Sequence, residues 1–332
     1  MTGTGADLGT VVGVGIRADG GLNIGQNTAG NNLFVGYQTG PATTFDSSYG
    51  GGFNQFVGYQ SGYNNIIGYR NLFSGYQSGF STKYSYQNQF TGYQSGYGAI
   101  TIGGGSPTQN QFSGFQSGYR SLESNNQFSG YQSGFNMGYG QFNLFIGYQT
   151  GYNSTGTGFS PSYNTLIGYQ SGYRTGSGFA TVNNTFLGYR SGYLNTSGSH
   201  NTLMGHQNGY SNTTGNRNTF LGYQSGYYAT TGTLNTALGN FSGPAQGYGD
   251  ITNTLALGSG ATVFSSNTIQ LGDANITSLR CQVGLTTTSD ARFKYDVQAN
   301  VPGLAWPSSP GFVPLPTAST RPAWAPSSAP AR

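Results

Sequence analysis

The sequence predicts an all-β protein, built as a repetitive β-solenoid or β-roll. A short phrase recurs along most of the chain, only 6% of the 332 residues are charged, and 58 residues are glycine. Aromatic residues make up 15%, nearly all of them Tyr (26) and Phe (21). An ordinary globular chain is about a quarter charged, and a helical chain needs more Ala, Leu, Glu and Lys. Gly, Asn, Thr, Ser and aromatic residues favour turns and strands instead.

The recurring phrase reads Asn-x-(aromatic or aliphatic)-x-Gly-Tyr-Gln-Ser-Gly-Tyr. In the cleanest stretch, from Gly188 to Gly239, the glycines that close the Asn-x-x-x-Gly core are 17 residues apart. A unit of this size buries little surface alone and gains its stability by stacking on its neighbours. The cores begin at Asn32, Asn54, Asn64, Asn71, Asn88, Asn110, Asn126, Asn143, Asn164, Asn184, Asn201, Asn218 and Asn235.

The spacing between cores is uneven. Longer steps carry additional Gly, Ser, Thr and Pro, as at Thr175–Gly178, which predicts loops inserted on one side of a coil. The short step from Gly68 to Gly75 leaves open whether the core at Asn64 completes a coil. At about 4.8 Å per level, some fourteen coils would form a rod about 65–70 Å long. Four prolines fall in the predicted inserts, where a missing amide hydrogen does least harm: Pro41, Pro107, Pro161 and Pro244.

Each core predicts a strand of four or five residues, in which successive side chains point to opposite faces. Phe220 and Leu221 therefore cannot both enter one narrow interior. If both are buried, the second face needs another surface, such as a neighbouring subunit, so the pattern predicts an oligomer. The glycines permit tight turns with positive φ, and the asparagines are expected to stack as a hydrogen-bonded ladder between coils.

Low-complexity disorder is the alternative interpretation, since Gly-Tyr-Gln-Ser-Gly-Tyr is also typical of prion-like segments. The apolar residues, however, recur in register with Asn and Gly, and this register persists where the composition changes, from Asn201 to Gly209. The register favours the solenoid.

The residues outside the repeat core indicate little chemistry. The acidic residues are isolated, and His200 and His206 have no Cys or acid nearby to complete a metal site. Neither a metal nor a cofactor is predicted, and Cys281 is expected to be a buried small residue. Four arginines are spread too thinly for a nucleic-acid patch and are expected to be solvated at coil edges: Arg70, Arg120, Arg174 and Arg190.

Two interpretations of the tyrosines remain open at this point. Tyrosine rings can stack on sugar rings while neighbouring amides satisfy sugar hydroxyls, or the tyrosines form structural ladders between coils. No run of residues approaches the roughly 18 apolar residues of a membrane helix, so membrane insertion is not predicted. No signal peptide is recognisable at the start of the sequence.

The phrase Asn-Thr-(Phe/Leu)-(Leu/Ile/Met)-Gly, over about residues 20–280, resembles the head repeats of trimeric autotransporter adhesins. It also resembles the repeat shafts that precede an endosialidase-type intramolecular chaperone domain in phage tail spikes and related surface proteins. The segment 267–304 sharpens the second resemblance. It contains Ser289-Asp-Ala-Arg-Phe-Lys294, which is similar to the opening motif of that chaperone domain.

The resemblance implies a homotrimer whose C-terminal domain holds three chains together during folding and then cuts itself off, leaving a kinetically stable fibre. By position, Ser289 matches the nucleophile, with cleavage at the Ser289–Asp290 bond, and Lys294 matches the residue that assists it. Asp290 and Arg292 complete the motif. From the residues alone, Ser289 is better explained as the N-cap of a helix that starts at Asp290; the resemblance favours the nucleophile, and both roles can coexist.

The sequence departs from that family after Leu304, where a Pro-, Ala- and Ser-rich tail replaces the expected helices and strands. Self-cleavage in this chain is therefore in doubt, and the tail is expected to be disordered. The predicted organisation is an irregular N-terminal segment or start of repeats (1–30), the solenoid (31–280), an incomplete chaperone domain (281–304) and the tail (305–332).

These observations predict a structural and adhesive fibre segment of a phage tail fibre or spike, located in the virion and contacting a host-surface glycan or protein. The alternatives are a bacterial trimeric cell-surface adhesin and an autoproteolytic chaperone-bearing precursor.

Overall fold

A computed structural model describes residues 24–25, 32–41, 52–99, 108–122, 124–154, 161–175, 181–280 and 282. This part of the chain is all-β and contains no helix, which confirms the predicted fold class. Its strands lie in the first of two units, residues 1–277. Of the second unit, residues 278–332, only 278–280 and 282 are described. The segment 305–332 and nearly all of 281–304 lie outside the described residues.

The strands have two or three residues each, which is shorter than the sequence predicts. They are β1 (Ile24–Gly25), β2 (Leu33–Val35), β3 (Gln55–Val57), β4 (Ile67–Tyr69), β5 (Leu72–Ser74), β6 (Tyr84–Tyr86), β7 (Gln89–Thr91), β8 (Gln111–Ser113), β9 (Gln127–Ser129), β10 (Leu144–Ile146), β11 (Thr165–Ile167), β12 (Thr185–Leu187), β13 (Thr202–Met204), β14 (Thr219–Leu221), β15 (Thr236–Leu238), β16 (Gly243–Pro244), β17 (Leu255–Leu257), β18 (Thr262–Val263) and β19 (Ile269–Leu271).

One sheet, called the main sheet below, runs the length of the solenoid with 15 strands. Every neighbouring pair in it is parallel except β1 and β2, which are antiparallel. Equivalent residues of successive coils are in register, as in the pairing of Leu203 with Phe220. Two further pairs, β4 with β6 and β16 with β18, form small parallel sheets. The described part of the chain is therefore a parallel β-solenoid with one main-sheet strand in each coil.

The core at Asn64 is not a coil of its own. Its closing residue, Gly68, lies in β4, outside the main sheet, whereas β3 pairs directly with β5. The coil that starts at Asn54 is thus followed in the main sheet by the coil that starts at Asn71, 17 residues later. The phrase at Asn64 resembles a core only because its composition is the same.

The solenoid interior is a stack of the central side chains of the main-sheet strands. Phe112 and Phe128, for example, have ring centroids 4.8 Å apart with planes 3° apart. Full burial of such a side chain stabilises the fold by about 1.5–3 kcal/mol. The stack ends in smaller and more polar residues, Ala256 and then the half-buried Gln270. We call this stack the core ladder; it contains Phe34, Phe56, Phe73, Phe90, Phe112, Phe128, Phe145, Leu166, Phe186, Leu203, Phe220, Ala237 and Ala256.

The asparagines form a buried ladder, as the sequence predicts. Oδ1 of Asn201 accepts the backbone N–H of Asn218 at 2.9 Å, and Oδ1 of Asn218 accepts that of Asn235 at 2.9 Å. Nδ2 of Asn218 donates to the carbonyl of Gly232 at 2.9 Å. Buried amides cost free energy unless they are hydrogen-bonded. Each of these side chains therefore ties its own coil to the next and fixes the register.

Pro244 does not lie in a loop insert. It is buried in β16 and pairs with Val263 of β18. In a two-stranded sheet a proline without an amide hydrogen can occupy an edge position. The inserts around Pro107 and residues 176–178 lie outside the described residues.

Candidate functional site

The outward face of the main sheet carries an apolar stripe along its C-terminal part. Phe220 is buried, while the next residue, Leu221, is 48% exposed. A single chain therefore leaves the second face open, the situation for which the sequence predicts a partner subunit. In β5, β7, β8 and β9 the equivalent positions hold Ser or Thr. We call the following outward residues of β10–β15, β17 and β19 the apolar stripe: Ile146, Ile167, Leu187, Met204, Leu221, Leu238, Leu257 and Leu271.

Elsewhere on the solenoid, aromatic side chains form two long columns. In the first column, Tyr131 and Tyr148 have ring centroids 4.9 Å apart and planes 6° apart, so the rings stack face to face. We call this column the first tyrosine ladder; it contains Tyr37, Tyr59, Tyr76, Tyr93, Phe115, Tyr131, Tyr148, Tyr169, Tyr189, His206 and Tyr223.

The second tyrosine ladder has the same geometry. Tyr193 and Tyr210, for instance, have centroids 5.1 Å apart and planes 2° apart. Stacked aromatic pairs contribute about 0.5–1.5 kcal/mol beyond their area burial. The column contains Tyr63, Phe80, Tyr97, Tyr119, Phe135, Tyr152, Tyr173, Tyr193, Tyr210 and Tyr227.

A glutamine ladder lies between the two tyrosine ladders. In each regular coil Nε2 donates to Oε1 of the glutamine one coil earlier, as from Gln94 to Gln77 at 2.9 Å. These residues have left-handed backbones, with φ of 50° at both Gln77 and Gln94. The column contains Gln38, Gln60, Gln77, Gln94, Gln116, Gln132, Gln149, Gln170, Arg190, Gln207 and Gln224.

This arrangement restricts how a sugar could bind. Because each ring within the two ladders has neighbouring rings on its faces, a sugar ring can stack on a tyrosine face of these ladders only at their ends. What the columns offer along their length is ring edges, phenol hydroxyls and amide groups. A glycan on this surface would therefore be bound mainly through its polar groups.

Two adjacent coils depart from the regular columns. Arg190 replaces a glutamine, and its Nε donates to Oε1 of Gln170 at 2.9 Å. Its guanidinium carbon lies 5.2 Å from the ring centre of Tyr189 and 5.4 Å from that of Tyr193, within cation–π distance of both. His206 replaces a tyrosine and stacks on Tyr189 at 4.8 Å.

Sequence reasoning placed both residues on the surface and missed their positions in the ladders. The signal was present as two variants of the repeat phrase, Gly188-Tyr-Arg-Ser-Gly192 and Gly205-His-Gln-Asn-Gly209. In a ladder protein, such a variant places a new functional group in an otherwise uniform column. The other three arginines, Arg70, Arg120 and Arg174, are exposed as expected.

Some phenols of the second tyrosine ladder resist ionisation. Burial raises the pKa of Tyr97 and Tyr173 above 10.0, and the neighbouring phenols Tyr119 and Tyr152 respectively raise it further. Burial also raises the pKa of Tyr193, against a smaller lowering effect of Arg190 and Arg174. The cause is that stacked phenols lose water and would place like charges side by side.

We expect this effect to make the fold alkali-sensitive. A phenol with a raised pKa keeps its proton in the folded state at a pH where the unfolded chain has already lost it. Its contribution to stability is therefore complete below pH 10.0, the unfolded pKa, and is lost as the pH rises through the folded pKa. Denaturation midpoints measured from neutral pH to beyond this value should fall, and phenolate absorbance should appear cooperatively with loss of the β-sheet spectrum. Independent titration of the tyrosines in an intact fold would contradict this.

The predicted self-cleavage residues Ser289, Asp290, Arg292 and Lys294 lie outside the described residues, as does Cys281. Their roles remain predictions from the sequence. Within the described ranges, His, Cys, Asp and Glu do not gather into any group of three that would hold a metal ion. A helix with the length and apolarity to span a membrane is likewise absent from the described residues.

Comparison with protein-family models, curated proteins and solved structures finds no match to this chain.

Proposed function

We propose that this chain is a structural and adhesive segment of a fibre, of the kind found in phage tail fibres and spikes, and that it acts as a homotrimer in contact with a host surface. A parallel solenoid suits this function because each coil is stabilised only by its neighbours, so the array extends in one direction. The observation that carries the proposal is the apolar stripe.

The stripe favours copies of this same chain as its cover. Monomeric soluble proteins rarely expose contiguous apolar patches larger than a few hundred Å². Here the apolar residues recur once per coil, in strands that pair in register. A parallel second copy has the same repeat along its length, so every level of one stripe meets the equivalent level of the other. An ordinary globular partner has no such period.

The columns of phenols and amides suit the adhesive part of the proposal. They lie outside the stripe, in the part of each coil that follows the main-sheet strand. Half-buried amides that are already hydrogen-bonded to one another lose little side-chain entropy on binding. The resulting surface is rigid and repetitive, as expected for contact with a repetitive surface polymer.

We expect Leu221→Asp to separate the subunits. The substitution places a charge in the middle of the stripe, where burial against another copy costs several kcal/mol. Analytical ultracentrifugation of the full chain should show a trimer for the original sequence and a monomer for the variant. Leu234→Asp is the matched control, because Leu234 is 51% exposed, similar to the 48% of Leu221, but lies outside the stripe. A well-folded monomer of the original sequence would count against the proposal, as would dissociation in both variants.

A further inference from the structure

The glutamine ladder has a donor and acceptor order that Arg190 interrupts. In the regular coils every side-chain amide donates to the preceding coil and accepts from the following one, as Gln149 donates to Gln132 and accepts from Gln170, both at 3.0 Å. Arg190 preserves the first half of this order through its bond to Gln170. It cannot accept a hydrogen bond from the following coil, since a guanidinium has N–H donors and no acceptor.

The residue that should donate to position 190 is Gln207. Its Oε1 accepts from Gln224 at 2.7 Å, in the regular direction. Its Nε2 would have to donate to Arg190, which is itself a donor, and it forms no hydrogen bond with any described residue. Arg190 and Gln207 therefore occupy successive positions of one column, and each has only N–H groups to offer the other.

The coils around Arg190 contain no carboxylate side chain that could accept its hydrogen bonds. The sequence contains no Asp or Glu between Glu123 and Asp250, while Arg174, Arg190 and Arg217 all lie in this stretch. The guanidinium is held near the rings of Tyr189 and Tyr193, within 5.4 Å of both centres, so its position is fixed in advance. Such a donor-only group matches a ligand that has only acceptors, such as a carboxylate or another oxyanion.

We propose that Arg190 and Gln207 bind the carboxylate of an acidic surface polysaccharide, with Tyr189 and Tyr193 on either side. The planar guanidinium can bind a carboxylate through two parallel hydrogen bonds. The polymer is favoured over a free ion because coils on both sides of the site present phenols and amides in line, which can pair with sugar hydroxyls. This inference rests on the proposed adhesive function and identifies its ligand class; in a trimer three such sites would act together.

The test uses the full chain and three immobilised polymers: alginate, which carries carboxylates, sulfated dextran, which carries sulfates, and unmodified dextran, which is neutral. We expect binding to alginate and little to unmodified dextran. Arg190→Gln restores the regular amide order of the ladder, so the fold is expected to be retained, and alginate affinity should fall at least about tenfold, since hydrogen bonds to a charged group are lost. The control, Arg217→Gln, makes the same charge change outside all three columns and should leave affinity within about twofold.

Several outcomes would overturn the inference. Equal losses in the two variants would show attraction by net charge alone, and binding to sulfated dextran but not alginate would exclude the carboxylate. Binding of duplex DNA with the same dependence on Arg190 would assign the site to nucleic acid. Labelled chain that adheres to bacterial cells equally with and without Arg190→Gln would refute this site and leave the proposed function standing. Failure of both proteins to adhere to any cell surface would instead refute the adhesive function.

Discussion

Substitution of Gly222 by alanine is expected to destabilise the coils around it by roughly 3–5 kcal/mol. Gly222 has φ of 135°, a region that residues with a Cβ rarely adopt. An added Cβ would also overlap the backbone carbonyl of Gly239 in the following coil, and a backbone cannot move aside as a flexible side chain can. The glycines at this position therefore allow successive coils to approach each other closely, which the inter-coil hydrogen bonds require.

Gly247→Ala separates the cost of backbone strain from the cost of the overlap with the next coil. Gly247 also has positive φ, 87°, but an added Cβ there meets nothing within 4 Å. We expect it to cost only the backbone strain, about 1–2 kcal/mol. Thermal and urea denaturation followed by circular dichroism give the global effect, and amide hydrogen exchange around residues 205–239 gives the local one. Equal destabilisation by the two substitutions would show that close packing of the coils at Gly222 contributes nothing.

Substitution of Phe112 by alanine is expected to cost about 3–5 kcal/mol, the range for a large aromatic side chain removed from a core. Phe112 is 1% exposed and stacks on Phe90 and Phe128, each with a centroid distance of 4.8 Å. The other buried side chains in its coil are Asn110, Ser117 and Ser121, which are polar and too small to fill the cavity.

Phe115→Ala is the control within the same coil. Phe115 stacks on Tyr93 at 4.9 Å and on Tyr131 at 5.0 Å, but it is 39% exposed. The Phe115→Ala substitution should lower the free energy of unfolding by about 1–2 kcal/mol, mainly because the stacking contacts are lost. The shift of the urea denaturation midpoint measures the loss of stability in the Phe112→Ala and Phe115→Ala variants. If the two substitutions were equally destabilising, stacking rather than burial would be the main source of stability, and the core ladder would have no special place in the fold.

Gly222→Ala and Phe112→Ala should open the coils around the substituted residue before the whole solenoid unfolds. In a linear array each coil contacts only its neighbours, so a weakened coil can open while distant coils stay paired. Hydrogen exchange should therefore rise first next to Gly222 or Phe112 and later at the ends. At the first coil of the main sheet β2 pairs antiparallel with β1, whereas at the last coil Ile269 of β19 is 69% exposed.

The sequence by itself determined the features that depend on strict repetition: the all-β class, the coil period between Gly188 and Gly239, and the stacked asparagines. These are readable because an identical residue at an identical spacing must meet its own copy when coils stack. The phrase at Asn64 misleads because composition alone resembles the repeat, and Pro244 misleads because proline usually marks a loop.

Only the tertiary structure decided which side of each strand faces inward, and hence that Phe220 is buried while Leu221 lies on an exposed stripe. Alternation along a strand shows that two side chains point apart, but not which of them the turns direct to the interior. The same holds for Arg190 and Gln207. The sequence separates them by 17 residues, and stacking of successive coils brings their donor groups together in one column.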